Sequence, residues 1–69
     1  MKLKTYLQDN ELTQMRFIAK VKEEQDVQIP QGTLAKWING QRIPRKQDML
    51  TIYKATEYLV EPNDFYLGD

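Results

Sequence analysis

Without a covalent or metal cross-link, an apolar core must carry the folding of this chain. Its 69 residues include no cysteine and no histidine, so neither a disulfide nor a zinc site of the usual kind can staple it. A single core in a chain of this size leaves a thin stability margin. The spacing of the apolar residues therefore decides what fold is reachable.

That spacing is helical throughout. Leu3, Tyr6 and Leu7 fall at i, i+3 and i+4 and predict a short first helix, ended at Asn10 and Glu11. Thr13 is a good N-cap for a second helix opening at Gln14, with Phe17, Ile18 and Val21 as its buried face. The polar run Glu23-Glu24-Gln25-Asp26 follows. Val27-Gln28-Ile29 then leads to Pro30, and a residue before proline is pushed out of the helical region, so Ile29 is expected to be extended.

A third helix is predicted from Pro30 or Gln31, with Leu34, Trp37 and Ile38 as its apolar stripe. Asn39-Gly40 ends it, glycine suiting the left-handed position beyond a helix. Gln41 to Pro44 reads as a loop. A fourth helix is predicted from about Arg45 to Tyr58, carried by Met49, Ile52, Tyr53 and Thr56 and flanked by Leu50 and Ala55. Glu61-Pro62-Asn63-Asp64 reads as a turn into Phe65-Tyr66-Leu67, residues expected to cover the core or to form a dimer contact. No hairpin signal appears. The expected fold is a single all-α domain over residues 1–69, a bundle of four to five helices.

The same inventory narrows function. Serine is also absent, so no Ser–His or Cys–His nucleophile pair can form. A small chain offers little room for a substrate pocket. A non-enzymatic binding domain is expected, with no metal and no cofactor. No apolar stretch is long enough for a membrane span. Met1-Lys2-Leu3-Lys4 is followed by polar residues and does not read as a signal peptide, so a cytoplasmic location is expected.

Net charge is zero, but it is segregated along the chain. Residues 1–22 carry five basic and two acidic groups, and residues 32–54 carry five basic groups against Asp48. Acidic groups fill the other two blocks, 23–31 and 55–69. Phosphate binding follows the local field rather than the total. With Leu34, Trp37 and Ile38 turned inward, the third helix presents Gly32, Thr33, Lys36 and Asn39 outward, with Gln31 in its first turn. Glutamine suits adenine in the major groove, lysine suits guanine or phosphate, and the threonine methyl suits thymine. Gly32 lets a backbone approach closely. These residue types also occur on any solvated helix, so the order of the parts matters more than the face alone.

Thr33 to Pro44, TLAKWINGQRIP, resembles the recognition helix and following loop of Cro-like and phage-repressor helix-turn-helix proteins, of lambda-repressor-like fold. Leu12 to Val21, LTQMRFIAKV, looks like the first helix of that motif, and Glu61 to Tyr66, EPNDFY, is similar to the ending of many small Cro-like chains. The resemblance implies sequence-specific binding of a double-stranded DNA operator, transcriptional regulation and a homodimer on DNA. It implies that Gln31, Thr33 and Lys36 face base edges. Asn39, Arg42, Arg45 and Lys46 would hold the sugar-phosphate backbone, and Gln14 would contact phosphate or brace Gln31. Arg45 and Lys46 open the fourth helix, where positive charge is mildly unfavourable unless an external anion offsets it.

One stretch departs from the family. The connection to the third helix is about six residues longer than the usual turn and lacks glycine. The extra residues, approximately Lys22 to Gln28, either lengthen the second helix or bulge as a loop. Their acidic cluster is expected to point away from DNA. Two other readings suit the same fold: an interaction module such as an antitoxin, docking through its acidic segments, and an excisionase-like architectural DNA binder.

Overall fold

A computed structural model describes residues 1–66. Five helices follow one another: α1 (Leu3–Asp9), α2 (Gln14–Gln25), α3 (Gln31–Ile38), α4 (Lys46–Ala55) and α5 (Asn63–Tyr66). No strand occurs among the described residues, and no helix among them is long and apolar enough to cross a membrane. The fold is the expected small all-α bundle.

α1 to α4 each exist because an apolar stripe finds a partner, whereas the four-residue α5, at residues read from the sequence as a turn, buries no residue fully. Leu3, Tyr6 and Leu7 of α1 are buried, as are Phe17, Ile18 and Val21 of α2, Leu34 and Trp37 of α3, and Ile52 and Ala55 of α4. They form one cluster with Ile29 and Val60. α2 runs through its centre and packs on both α3 and α4. Tyr6 and Phe17 meet edge to face, ring centroids 6.4 Å apart, a favoured aromatic geometry. Ile38 and Phe65 are half-buried against the cluster, whereas Tyr66 is exposed. Phe65 therefore covers the core, and Leu67 lies outside the described residues.

The helix ends show where the sequence is read correctly and where it is not. Thr13 caps α2, its hydroxyl accepting the Arg16 N–H at 3.1 Å. The acidic stretch both lengthens α2 and ends it. Helix continues through Gln25, and Asp26 then takes a left-handed conformation (φ 57°). Val27 to Pro30 have no regular structure, Ile29 is buried, and Pro30 is the N-cap of α3 at φ −64° and ψ 140°.

α4 corrects the sequence reading at both ends. Arg45 is its N-cap rather than its first helical residue, and the helix stops at Ala55, not Tyr58. Glu57 and Tyr58 both have positive φ, 53° and 67°. The Glu57 and Tyr58 amides turn back onto the carbonyls of Lys54 and Tyr53, closing the helix as a glycine normally does. Leu50 is exposed rather than part of the core, while Ala55 is fully buried.

A left-handed non-glycine residue costs about 1–2 kcal/mol, so this end needs support. Tyr6 Oη donates to Glu57 Oε1 at 2.9 Å, and Lys20 Nζ reaches Glu57 Oε2 at 3.2 Å. Lys20 also donates to the Ala55 carbonyl. Buried Thr56 donates its hydroxyl to the Ile52 carbonyl and accepts the Val60 N–H, which seats Val60 in the core. The α2–α4 contact is thus locked at the point where the sequence offers no turn signal.

The hydrogen bond from Tyr6 lowers the Glu57 carboxyl below its ordinary 4.5, with Lys20 helping against partial burial. Burial raises Asp64, but hydrogen bonds from the Met1 amine and the Glu61 amide outweigh it and hold the group below 3.8. A carboxylate depressed in the fold stabilises it above the unfolded value, and that contribution disappears as pH falls through the folded value. The melting temperature, followed by circular dichroism, is therefore expected to fall as pH drops below 4.5. Glu57→Gln is expected to melt lower at neutral pH and to show a shallower acid decline. An unchanged acid profile in that variant would contradict the assignment. Phe17→Ala removes the ring at the centre of the core, a loss of about 3–5 kcal/mol. That is comparable to everything so small a core supplies, so the variant is expected to show no cooperative melt.

Candidate functional site

α3 carries the side chains expected to meet a partner. Its inner stripe is fixed by Leu34 and Trp37, which leaves Gln31, Gly32, Lys36 and Asn39 exposed and Thr33 half-buried. Gly32, Thr33, Lys36 and Asn39 sit at i, i+1, i+4 and i+7, one face of a helix. Gln31 opens the first turn, and no hydrogen bond ties it to Gln14 among the described residues.

The end of α3 is tightly built. Asn39 is the C-cap and Gly40 follows at φ +76°. The Gly40 amide donates to the Trp37 carbonyl at 3.3 Å, and the Gln41 amide to the Lys36 carbonyl at 2.9 Å, closing the helix beyond its last turn. The Arg42 amide also reaches the Lys36 carbonyl at 3.3 Å. The loop is thereby strapped to the last turn of the helix. Arg42 is held beside Asn39 although it lies outside α3, and buried Pro44 anchors the far side of the loop.

Two surface depressions flank this corner and share Asn39. The first, about 400 Å³, lies between α1, the end of α3 and α5, and Lys2, Lys4, Asn39 and Arg42 line it. The second is lined by Lys4, Gln8, Gln14 and Asn39 among others. Gln14, Asn39 and Arg42, three separate expectations of the sequence, thus lie along one continuous surface. Arg45 and Lys46 line neither depression and project at the start of α4. Lys2 and Lys4 belong to no motif; their one sequence signal is the basic excess of residues 1–22.

The ion pairs leave the cations around α3 out. Among the described residues the ion pairs are Met1 amine–Asp64, Lys20–Glu24, Lys20–Glu57 and Lys22–Asp26. None of them uses Lys2, Lys4, Lys36, Arg42, Arg45 or Lys46. Neither depression touches Glu23, Glu24 or Asp26; the acids on their walls are Glu11 and Asp64, and Asp64 is occupied by the Met1 amine. No family model, curated protein or solved structure matches this chain.

The two glycines at the ends of α3 differ in what requires them. A Cβ at either position meets nothing within 4 Å, but Gly40 has the left-handed backbone and Gly32 does not. Gly40→Ala is expected to cost about 1–2 kcal/mol, and Gly40→Asn less, because asparagine tolerates that region. Gly32→Ala is expected to stabilise the fold by about 0.5 kcal/mol, through the entropy glycine loses on folding. Urea denaturation of the three variants tests this. A loss of stability in Gly32→Ala would mean that the fold itself requires that glycine.

Proposed function

We propose that this chain is a sequence-specific double-stranded DNA-binding regulator of the Cro and phage-repressor type, acting in the cytoplasm as a homodimer on its operator. The observation that carries the reading is the surface around α3. Its outer face is polar and cationic, its cations are unpaired among the described residues, and the acids of the α2 extension lie off both depressions. Gly32 adds to this, since nothing inside the fold requires a glycine in that exposed turn.

The mechanism follows from the dimensions. α3 has eight residues, about two turns, and a helix with its side chains is about 10–12 Å across, close to the width of the major groove. Gln31, Thr33 and Lys36 read base edges from it. Gln14, Asn39 and Arg42 hold phosphates at its end, and Arg45 and Lys46 hold them at the start of α4, where a phosphate offsets cations on the positive end of a helix. The extended connection lets α3 pack on α2 without a tight turn, and it keeps the acidic residues off both depressions. One short helix reads few base pairs, so a twofold partner supplies the remaining affinity and specificity.

Selection from a random duplex pool tests the reading. Enriched sequences are expected to be near-palindromic, with half-sites about one helical turn apart, and binding is expected to weaken steeply with salt. Gln31→Ala and Lys36→Ala are expected to abolish sequence preference while retaining a native circular dichroism spectrum. Absence of enrichment, or binding that ignores salt, overturns the proposal.

A further inference from the structure

We infer that Lys2 and Lys4 of the N-terminal segment, with Arg42 of the loop after α3, form a second phosphate-binding rim that carries the DNA backbone past the end of the recognition helix. The inference rests on the DNA-binding reading above and extends the binding surface to an element that reading does not use.

Three observations carry it. First, the three cations come from two segments far apart in the sequence, and the fold gathers them around one depression. Second, none of the three is in an ion pair among the described residues. The acid on that wall, Asp64, is engaged through Oδ2 by the Met1 amine at 2.8 Å and by the Glu61 amide at 2.8 Å. Asp64 also feels the charge of Lys2, and Lys2, Lys4 and Arg42 together outnumber it on the depression wall. Third, the depression is continuous with the proposed DNA surface. Asn39 stands on its wall, and Lys4 belongs both to it and to the neighbouring depression that holds Gln14.

Apolar walls strengthen the effect. Leu3, Trp37 and Phe65 also line the depression. A concave, low-dielectric surface on which cations outnumber acids focuses the field at its mouth. An extended polyanion lying along this depression comes within reach of Asn39, Arg42, Lys4 and Lys2. These groups hold phosphate, so they raise affinity without adding sequence preference.

The test is binding of the selected operator, and of a scrambled duplex, by the full chain over a range of salt. Lys2→Gln/Lys4→Gln is expected to weaken both complexes by the same factor. It is also expected to reduce the slope of log K against log salt by about 1.8, or about 0.9 for each phosphate no longer neutralised. Arg42→Gln, on a different element, is expected to reduce the slope by about 0.9. Lys22→Gln/Lys54→Gln removes the same charge from positions outside both depressions and is expected to leave the slope unchanged. Equal effects in the two double variants would reduce the rim to net charge and overturn it. An unchanged slope in Lys2→Gln/Lys4→Gln overturns it as well, whatever Arg42→Gln does, because Arg42 already belongs to the proposed backbone contacts. In either case the operator preference of the wild-type chain leaves the DNA-binding reading intact. No binding by the wild-type chain overturns both.

Discussion

Phe17 and Val21 are sealed from solvent because α2 has a helix on either side of it, and that double contact organises everything else. α3 packs against one flank, so its polar face must turn outward. α4 packs against the other, and its C-terminal end is tied to α2 by Lys20, which holds both the Ala55 carbonyl and Glu57. Gln25 adds a second tie, donating to the Thr51 carbonyl at 2.9 Å. With no covalent cross-link in the chain, the position of the α3 surface relative to α1 and α4 depends on how well α2 is gripped.

The first four helices were legible in the sequence because each carries an i, i+3, i+4 stripe that survives as buried surface; α5, which has none, falls where the sequence reads as a turn. The start of α2 was legible because Thr13 has the chemistry of a cap, and the end of α3 because Gly40 has the freedom its backbone needs. The end of α4 was not. There the chain turns left-handed at Glu57 and Tyr58, residues that avoid that region when isolated, and the compensation comes from Tyr6 and Lys20 far away in sequence. Asp26 also ends α2 in a left-handed conformation. A left-handed stop without glycine leaves little local signature; the tertiary partners reveal it.

The surface was legible one helix at a time. Gln31, Thr33, Lys36 and Asn39 follow from the stripe of α3, and the basic loop follows from its sequence position. That the N-terminal segment contributes Lys2 and Lys4 to the same corner depends on how α1 folds across the end of α3, which periodicity cannot say. The alternation of basic and acidic blocks becomes, in three dimensions, a division of labour. Acids of the second and fourth blocks are used in internal ion pairs at Glu24, Asp26, Glu57 and Asp64, and the cations around α3 take no part in them. A chain of zero net charge can in this way gather an excess of unpaired cations on one part of its surface.

Trp37 is the chain's one tryptophan. It is 7% exposed, and it forms part of the wall of the basic depression. Indole emission depends on the polarity around the ring. The same fluorophore therefore senses solvent entering the core when the chain unfolds, and under the proposed function it would also sense displacement of water from the depression by a phosphate. The first event shifts the emission toward that of a fully hydrated ring, whereas the second perturbs it with the core intact. The protein thus carries its own optical reporter at the boundary between what stabilises it and the surface it presents.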